Sequence, residues 1–225
     1  PRSTVDRSSA ASDVYKRQQP SLIESLVPSA RAASLAGQAR DGIDRLIAAD
    51  LSKYNAHLPG ADLPPPGHVL VIDQTRGDAS LLGAGRAEFL DMLSAARDEN
   101  PGLPVAIRSH PETAAGLRPG HFTRDDLRSG DCFCDGPVSP WRLLRGAARV
   151  YAMSSQLGYE AVLAGHRPRV FGQPFYAGWG LTDDLHGFPR RRPAPVEALF
   201  AASHLLAPVW YDPCLDLSLI HISEP

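Results

Sequence analysis

His68-Val69-Leu70-Val71-Ile72-Asp73 places four aliphatic side chains in a row with no polar residue between them. A run without alternation fits a strand covered on both faces, as in a parallel sheet. It opens into a polar loop, Gln74 to Ser80. Beyond the loop, Phe89, Leu90, Leu93 and Ala96 share one face of a helix predicted over Arg86–Asn100, and Pro101-Gly102 stops it. Pro104–Arg108 reads as the next strand and ends at Ser109-His110-Pro111-Glu112. The pattern then repeats: strand Asp131–Cys134, helix Pro140–Ala147, strand Arg149–Met153, turn Ser154-Ser155, helix Gln156–Ala164 and strand Pro168–Phe171. Strand, loop and helix in alternation predict an α/β fold, a parallel sheet with helices on both faces.

Upstream of the opening run, Pro64-Pro65-Pro66-Gly67 cannot be helical and reads as a linker. Before it, helical spacing is found over Ser21–Ala36 and again over Asp41–Leu51, followed by Ser52-Lys53-Tyr54-Asn55. The chain begins with Pro1, and its first 18 and last 9 residues, ending LSLIHISEP, resemble translated adapter sequence. The expected organisation is therefore a non-native tail at 1–18, a helical segment and linker at 19–66, a sheet domain at 67–213 and a second tail at 214–225. A natural protein longer than this chain on both sides follows from that reading.

The 225 residues are 43% hydrophobic and 21% charged, ordinary for a soluble globular chain large enough to bury a core. A net charge of −2 offers no basic field for bulk nucleic acid, so no nucleic-acid partner is expected. Lys16 and Lys53 are the only lysines among 23 basic residues; the arginine excess fits a GC-rich genome as well as anion recognition. Three cysteines, Cys132, Cys134 and Cys214, make neither a disulfide framework nor a zinc set, which suits a reducing, cytoplasmic setting. No apolar run approaches the ~20 residues needed to span a bilayer.

Ligands of open α/β sheets bind beyond the carboxyl ends of the strands. Four polar clusters fall at such ends: Gln74-x-x-Gly77-Asp78, Ser109-His110-Pro111-Glu112, Ser154-Ser155-Gln156 and Gly172 to Asp184. The serine pair at a helix start can hold an anion, or one serine can simply cap the helix. His110, held extended by Pro111, can donate to a phosphate oxygen or bond within its own loop. Asp73 and Asp78 flank a glycine-bearing loop; paired carboxylates serve glycosidic chemistry, and equally cap solvated turns. In Phe175–Asp184, rings and glycines could wrap a sugar or pack over the sheet edge, with Tyr176, Trp179, Thr182 and Asp183 as the candidate contacts. Arg190-Arg191-Arg192 reads as a solvated patch rather than a substrate clamp.

Several of these strings also carry a resemblance. QTRGDAS (74–80), RSHPE (108–112), YAMSSQLGYEA (151–161) and FGQPFYAGWGLT (171–182), with SKYN (52–55) and Tyr211-Asp212-Pro213, together resemble the capsule polysaccharide biosynthesis family of the KpsC type. The likeness runs from about Gln19 to Pro213. It implies a Rossmann-like sheet, the nucleotide-binding lobe of a two-lobed GT-B glycosyltransferase. It implies a β-Kdo transferase that takes Kdo, an acidic eight-carbon sugar, from CMP-Kdo to a Kdo-bearing phosphatidylglycerol at the membrane surface, with retention. It further implies a cytoplasmic enzyme peripheral to the inner membrane, in company with other capsule assembly proteins, with no cofactor and no metal. By motif, His110, Ser154 and Ser155 would hold the CMP phosphate and Asp78 would be the nucleophile. Gln74, Gly77, Pro111, Gln156 and Glu160 would support the nucleotide sugar, Glu160 in a structural capacity. A UDP-sugar GT-B enzyme or epimerase and a non-catalytic scaffolding lobe are the competing readings.

Overall fold

The computed structural model describes residues 20–208, together with the backbone of a short antiparallel pair, Tyr211–Asp212 with Leu217–Ser218. Apart from that pair, the tails read at 1–18 and 214–225 lie outside the described residues, as does Pro213. Packing divides the chain into two compact units: residues up to Ala39 with those from Glu197 onward, and Arg40–Val196.

In the first unit, the single helix expected over Ser21–Ala36 is broken into α1 (Leu22–Leu26) and α2 (Ala30–Ser34); the next helix, α3 (Ala36–Ala48), has most of its length in the second unit. The break has a local cause. The Ser29 side chain accepts the Ala32 amide at 3.1 Å and starts a new helix right after Pro28. Ser21 and Glu24 form a reciprocal capping box on α1. Both short helices pack on a π-helical segment, Ala201–Leu206, which continues α8 (Val196–Phe200).

The second unit is built on six parallel strands: β1 (His68–Ile72), β2 (Val105–Arg108), β3 (Cys132–Cys134), β4 (Ala147–Ala152), β5 (Arg169–Val170) and β6 (Asp183–Asp184). Their order is β3-β2-β1-β4-β5-β6, with Leu70 paired to Ala106 on one side and Val150 on the other. This is the strand order of a Rossmann sheet, as expected. All of β1 is buried, which is why its sequence is an unbroken apolar run. Helix α4 (Arg86–Asp98) lays Phe89, Met92, Leu93 and Ala96 against Val69, Val71, Val105 and Ile107. Truncating Phe89, which is fully buried, would cost about 3–5 kcal/mol. The connecting helices α5 (Pro111–Ala114), α6 (Pro140–Gly146) and α7 (Gln156–Leu163) follow β2, β3 and β4.

The order reverses between β1 and β4: the chain steps outward through β2 and β3, then returns to the other side of β1. At such a switch point the loops leaving neighbouring strands diverge and leave a crevice. The loops after β1, β2 and β4 begin at Asp73, Ser109 and Met153, so the fold itself delivers three of the four polar clusters to one place.

Candidate functional site

A cavity of about 280 Å³ opens at the switch point. Asp73, Gln74, Asp78, Ser109, His110, Pro111, Ser154, Ser155, Gln156 and Glu160 all line it, so ten residues singled out in the sequence converge. Ser52, Lys53, Tyr54, Ser80, Arg108 and Phe175 join them.

Gln74 is the hub. Buried at 4% exposure, its Oε1 accepts the Ser154 amide at 2.9 Å, and its Nε2 reaches the hydroxyls of Ser80 and Ser154, both at 3.3 Å. The two hydroxyls lie 3.0 Å apart. One amide side chain thus ties the loop after β1 to the loop after β4 and fixes where Ser154 stands. Ser155 caps α7: its Oγ accepts the Leu157 amide at 3.2 Å. The two readings of the serine pair are compatible, because an accepting hydroxyl keeps its proton for an anion, and the α7 N-terminus adds the positive end of the helix dipole.

His110 caps the short α5, with Nδ1 accepting the Glu112 amide at 3.2 Å. An accepting Nδ1 puts the proton of the neutral ring on Nε2. That nitrogen lies 3.0 Å from the Tyr54 hydroxyl. Burial, ahead of the opposing charge of Glu112, lowers the His110 pKa, so the ring is a neutral donor at neutral pH.

The two aspartates separate by environment. Asp73 is 2% exposed and accepts the amides of Gln74 at 2.8 Å, His121 at 3.0 Å and Phe122 at 3.4 Å. Burial raises its pKa in spite of these bonds. It holds the 120–122 loop beneath the site; a side chain at Gly120 would place its Cβ 2.3 Å from Asp73 Oδ2. Asp78 is partly exposed and accepts the Ser80 amide at 2.8 Å. Burial pushes its pKa up, but the Ser80 hydrogen bonds and the charges of Lys53 and Arg118 outweigh that and leave it lowered. Asp78 is therefore an ionised, partly exposed carboxylate at the cavity, whereas Asp73, which also lines it, spends its oxygens on backbone amides of the scaffold.

The profile of the family described as "Capsule polysaccharide biosynthesis protein" matches residues 64–207, which contain all six strands of the parallel sheet. The chain belongs to the capsule polysaccharide biosynthesis protein family. Within that family it is similar to the capsule polysaccharide modification protein LipA of Neisseria meningitidis serogroup A, at 34% identity over 209 residues, covering 85% of this chain and 30% of LipA. It is 35% identical to the lipopolysaccharide-processing protein LpsZ of Rhizobium meliloti over 204 residues, 86% of this chain and 46% of LpsZ. Among solved structures, Thermosulfurimonas dismutans KpsC, beta Kdo 2,4 transferase, superposes with a TM-score of 0.79 at 36% identity, over 89% of this chain and 65% of that one. The beta Kdo 2,7 transferase of the same source shares the fold, with a TM-score of 0.62 at 24% identity over 84% of this chain and 59% of that one. The chain thus spans less than half the length of these two curated relatives.

In this capsule-family chain some candidates stand elsewhere than the sequence placed them. Gly77 does not line the cavity; its φ of +76° makes the turn that presents Asp78. Tyr176, Trp179 and Thr182 are buried, at 0%, 2% and 3% exposure, and none lines the cavity. The Tyr176 hydroxyl donates to the Ser155 carbonyl at 2.9 Å, and Trp179 Nε1 donates to the Phe175 carbonyl. Asp183 lies in β6 and pairs with Arg169 at 2.9 Å. The loop packs over the sheet, and Phe175 alone of it reaches the cavity. Its clamp is Arg191, which donates to the carbonyls of Pro174, Phe175 and Ala177 and lies over the Trp179 and Phe188 rings. Arg191 is therefore neither a solvated patch nor a substrate clamp.

Glu160 is 5% exposed and accepts the Ser52 hydroxyl at 2.8 Å and the Lys53 amide at 3.3 Å. Burial raises its pKa against those bonds. Its contacts are structural: it pins segment 52–54 across the cavity. Arg108 spends its guanidinium on the carbonyls of Cys134 and Gly136, both at 2.8 Å. Ser80, Lys53 and Tyr54 were not named as site residues from sequence. Ser80 lay within the quoted loop, and SKYN was visible as a string with no indication of where it would dock.

Proposed function

We propose that this chain is the nucleotide-sugar-binding part of a glycosyltransferase that moves Kdo from CMP-Kdo to a Kdo-bearing phosphatidylglycerol acceptor in capsule linker synthesis. The reading rests on one observation: an ionised carboxylate, a neutral histidine donor and a serine pair at a helix start share a single cavity. The relative with the TM-score of 0.79 is named as a beta Kdo 2,4 transferase, which supports the choice of sugar. CMP is the donor nucleotide inferred for that sugar.

In this mechanism the CMP phosphate lies against Ser154, Ser155 and His110 Nε2–H. The α7 amides and these donors stabilise its charge as it leaves, so the leaving group needs little proton transfer. The Asp78 carboxylate attacks the anomeric carbon as the C–O bond to phosphate breaks. The acceptor hydroxyl then displaces Asp78 and passes its proton to a base, and two inversions give net retention. The acceptor is a lipid, so the enzyme works at a membrane surface from the cytoplasmic side, alongside other capsule assembly proteins. None of the described helices is long and apolar enough to cross a membrane; peripheral attachment is part of the proposal.

Titration calorimetry of the chain with CMP and with UDP tests the donor assignment. CMP should bind at least about tenfold more tightly, a difference of about 1.4 kcal/mol. Preference for UDP would point to a different nucleotide sugar, and affinity for neither would point to an inert lobe. In the longer protein, Asp78→Ala should cut transfer by about 10⁴-fold or more while CMP still binds. Retained transfer would remove Asp78 as nucleophile.

A further inference from the structure

Lys53 is unassigned by the mechanism above, yet the fold goes to some length to hold it at the cavity. The Trp141 indole donates to the Leu51 carbonyl at 2.8 Å, and Asp50 is bonded by Ser139 and by His57. The Ser52 amide donates to Asn55 Oδ1 at 2.7 Å, and the buried Glu160 carboxylate takes both the Ser52 hydroxyl and the Lys53 amide. A buried carboxylate is costly unless it is used, and here its bonds all go to two consecutive residues of one segment. The backbone of that segment is therefore pinned, and Lys53 and Tyr54 extend from it at the cavity wall.

The ammonium at that position has no anion of its own. Among the described residues Lys53 forms no ion pair; its one named side-chain contact is the Tyr54 ring, 5.1 Å from its Nζ. Yet its charge is felt by Asp78, by His110 and by Glu160, which places it among the very groups that line the site. Next to it, the Tyr54 hydroxyl oxygen already occupies the acceptor position 3.0 Å from His110 Nε2. An oxygen of an anionic ligand bound at Nε2 would share a cavity whose wall includes Lys53.

Building on the donor-site reading, we propose that Lys53 contacts the phosphate of the bound nucleotide as a charge-assisted donor, and that Glu160 is a positioning residue that acts through it. A cation without an ion-pair partner, on a pinned backbone at the wall of the cavity that also holds a neutral histidine and two serine hydroxyls, is matched to an anion and gains little from a neutral nucleoside. Glu160 reaches the ligand only by fixing the backbone from which Lys53 extends.

Calorimetric titration of CMP and of cytidine separates charge recognition from folding. Lys53→Met should weaken CMP by about tenfold or more, and cytidine by less than about twofold. Lys53→Arg should restore most of the CMP affinity, and the salt dependence of CMP binding should flatten in Lys53→Met. Glu160→Gln should weaken CMP in the wild-type background and have little further effect in Lys53→Met. Undiminished CMP binding by Lys53→Met overturns the inference, as does an equal loss for cytidine, which would mark a merely structural role. Absence of CMP affinity in the wild type would instead remove the donor-site reading, and this inference with it.

Discussion

Gly158→Ala should destabilise the protein, although alanine is the better helix former. Gly158 lies inside α7, and a Cβ there would sit 2.2 Å from Tyr176 Oη, 2.9 Å from Tyr176 Cζ and 3.0 Å from the Ala152 Cβ. The Tyr176 ring is fully buried and its hydroxyl is bonded to the Ser155 carbonyl, so it has nowhere to retreat. Overpacking of this kind costs about 1–3 kcal/mol. Displacing the hydroxyl loses a buried hydrogen bond worth about 1 kcal/mol. Replacing glycine in a helix gains only about 0.5–1 kcal/mol. The clash wins, leaving a net loss of about 1–3 kcal/mol on the sum of these terms. Tyr176→Phe removes the closest atom, so the double variant should be about 1 kcal/mol or more stabler than additivity predicts. Urea denaturation of the four proteins measures this directly. CMP affinity should fall in Gly158→Ala, because the displaced bond holds the residue that caps α7. A neutral or stabilising Gly158→Ala, or strictly additive variants, would refute the packing argument.

Asp73→Ala leaves the Gln74 and His121 amides without their acceptor; at about 1–3 kcal/mol for each buried orphan, urea unfolding should show a loss of about 2–6 kcal/mol. A loss under about 1 kcal/mol would return Asp73 to the list of solvated turn residues. His110 has a pKa lowered chiefly by burial, so the folded state resists its protonation. Its contribution to stability is present above the unfolded value of about 6.5 and is lost as pH falls through the lower folded value. His110→Asn, which can still cap α5, should therefore narrow the stability difference between neutral and acidic pH, as followed by thermal melts; an unchanged difference would contradict the burial argument. Gln74→Leu removes the links to Ser80 and Ser154, and CMP affinity should drop about tenfold even though the fold's core is untouched. Unchanged affinity would show that the serines hold their places without it.

The central sheet was readable because β1, most of β2 and the second half of β4 are buried, and their residues declare it as short apolar runs. β6 was not readable. Asp183–Asp184 is a two-residue strand, and two aspartates carry no periodic apolar signal. The switch-point geometry explains why the clusters at Gln74, His110 and Ser154 could be grouped from sequence: each ends a strand of one parallel edge. The aromatic loop was open between two readings because rings and glycines suit a sugar and a tight packing loop equally. What decided it was Arg191, whose three carbonyl contacts arise only once the chain has folded back. Lys53 and Tyr54 were hidden for the same reason. Their place at the cavity depends on Glu160, which is more than a hundred residues away, and no local pattern encodes that bond.

A crystal structure of the chain soaked with CMP tests the donor site most directly. The account predicts the phosphate within hydrogen-bond reach of His110 Nε2 and of the Ser154 and Ser155 hydroxyls, with Asp78 across the space where the anomeric carbon of the sugar would stand. Nucleotide lodged elsewhere, with the contact between Tyr54 and His110 undisturbed, would contradict it.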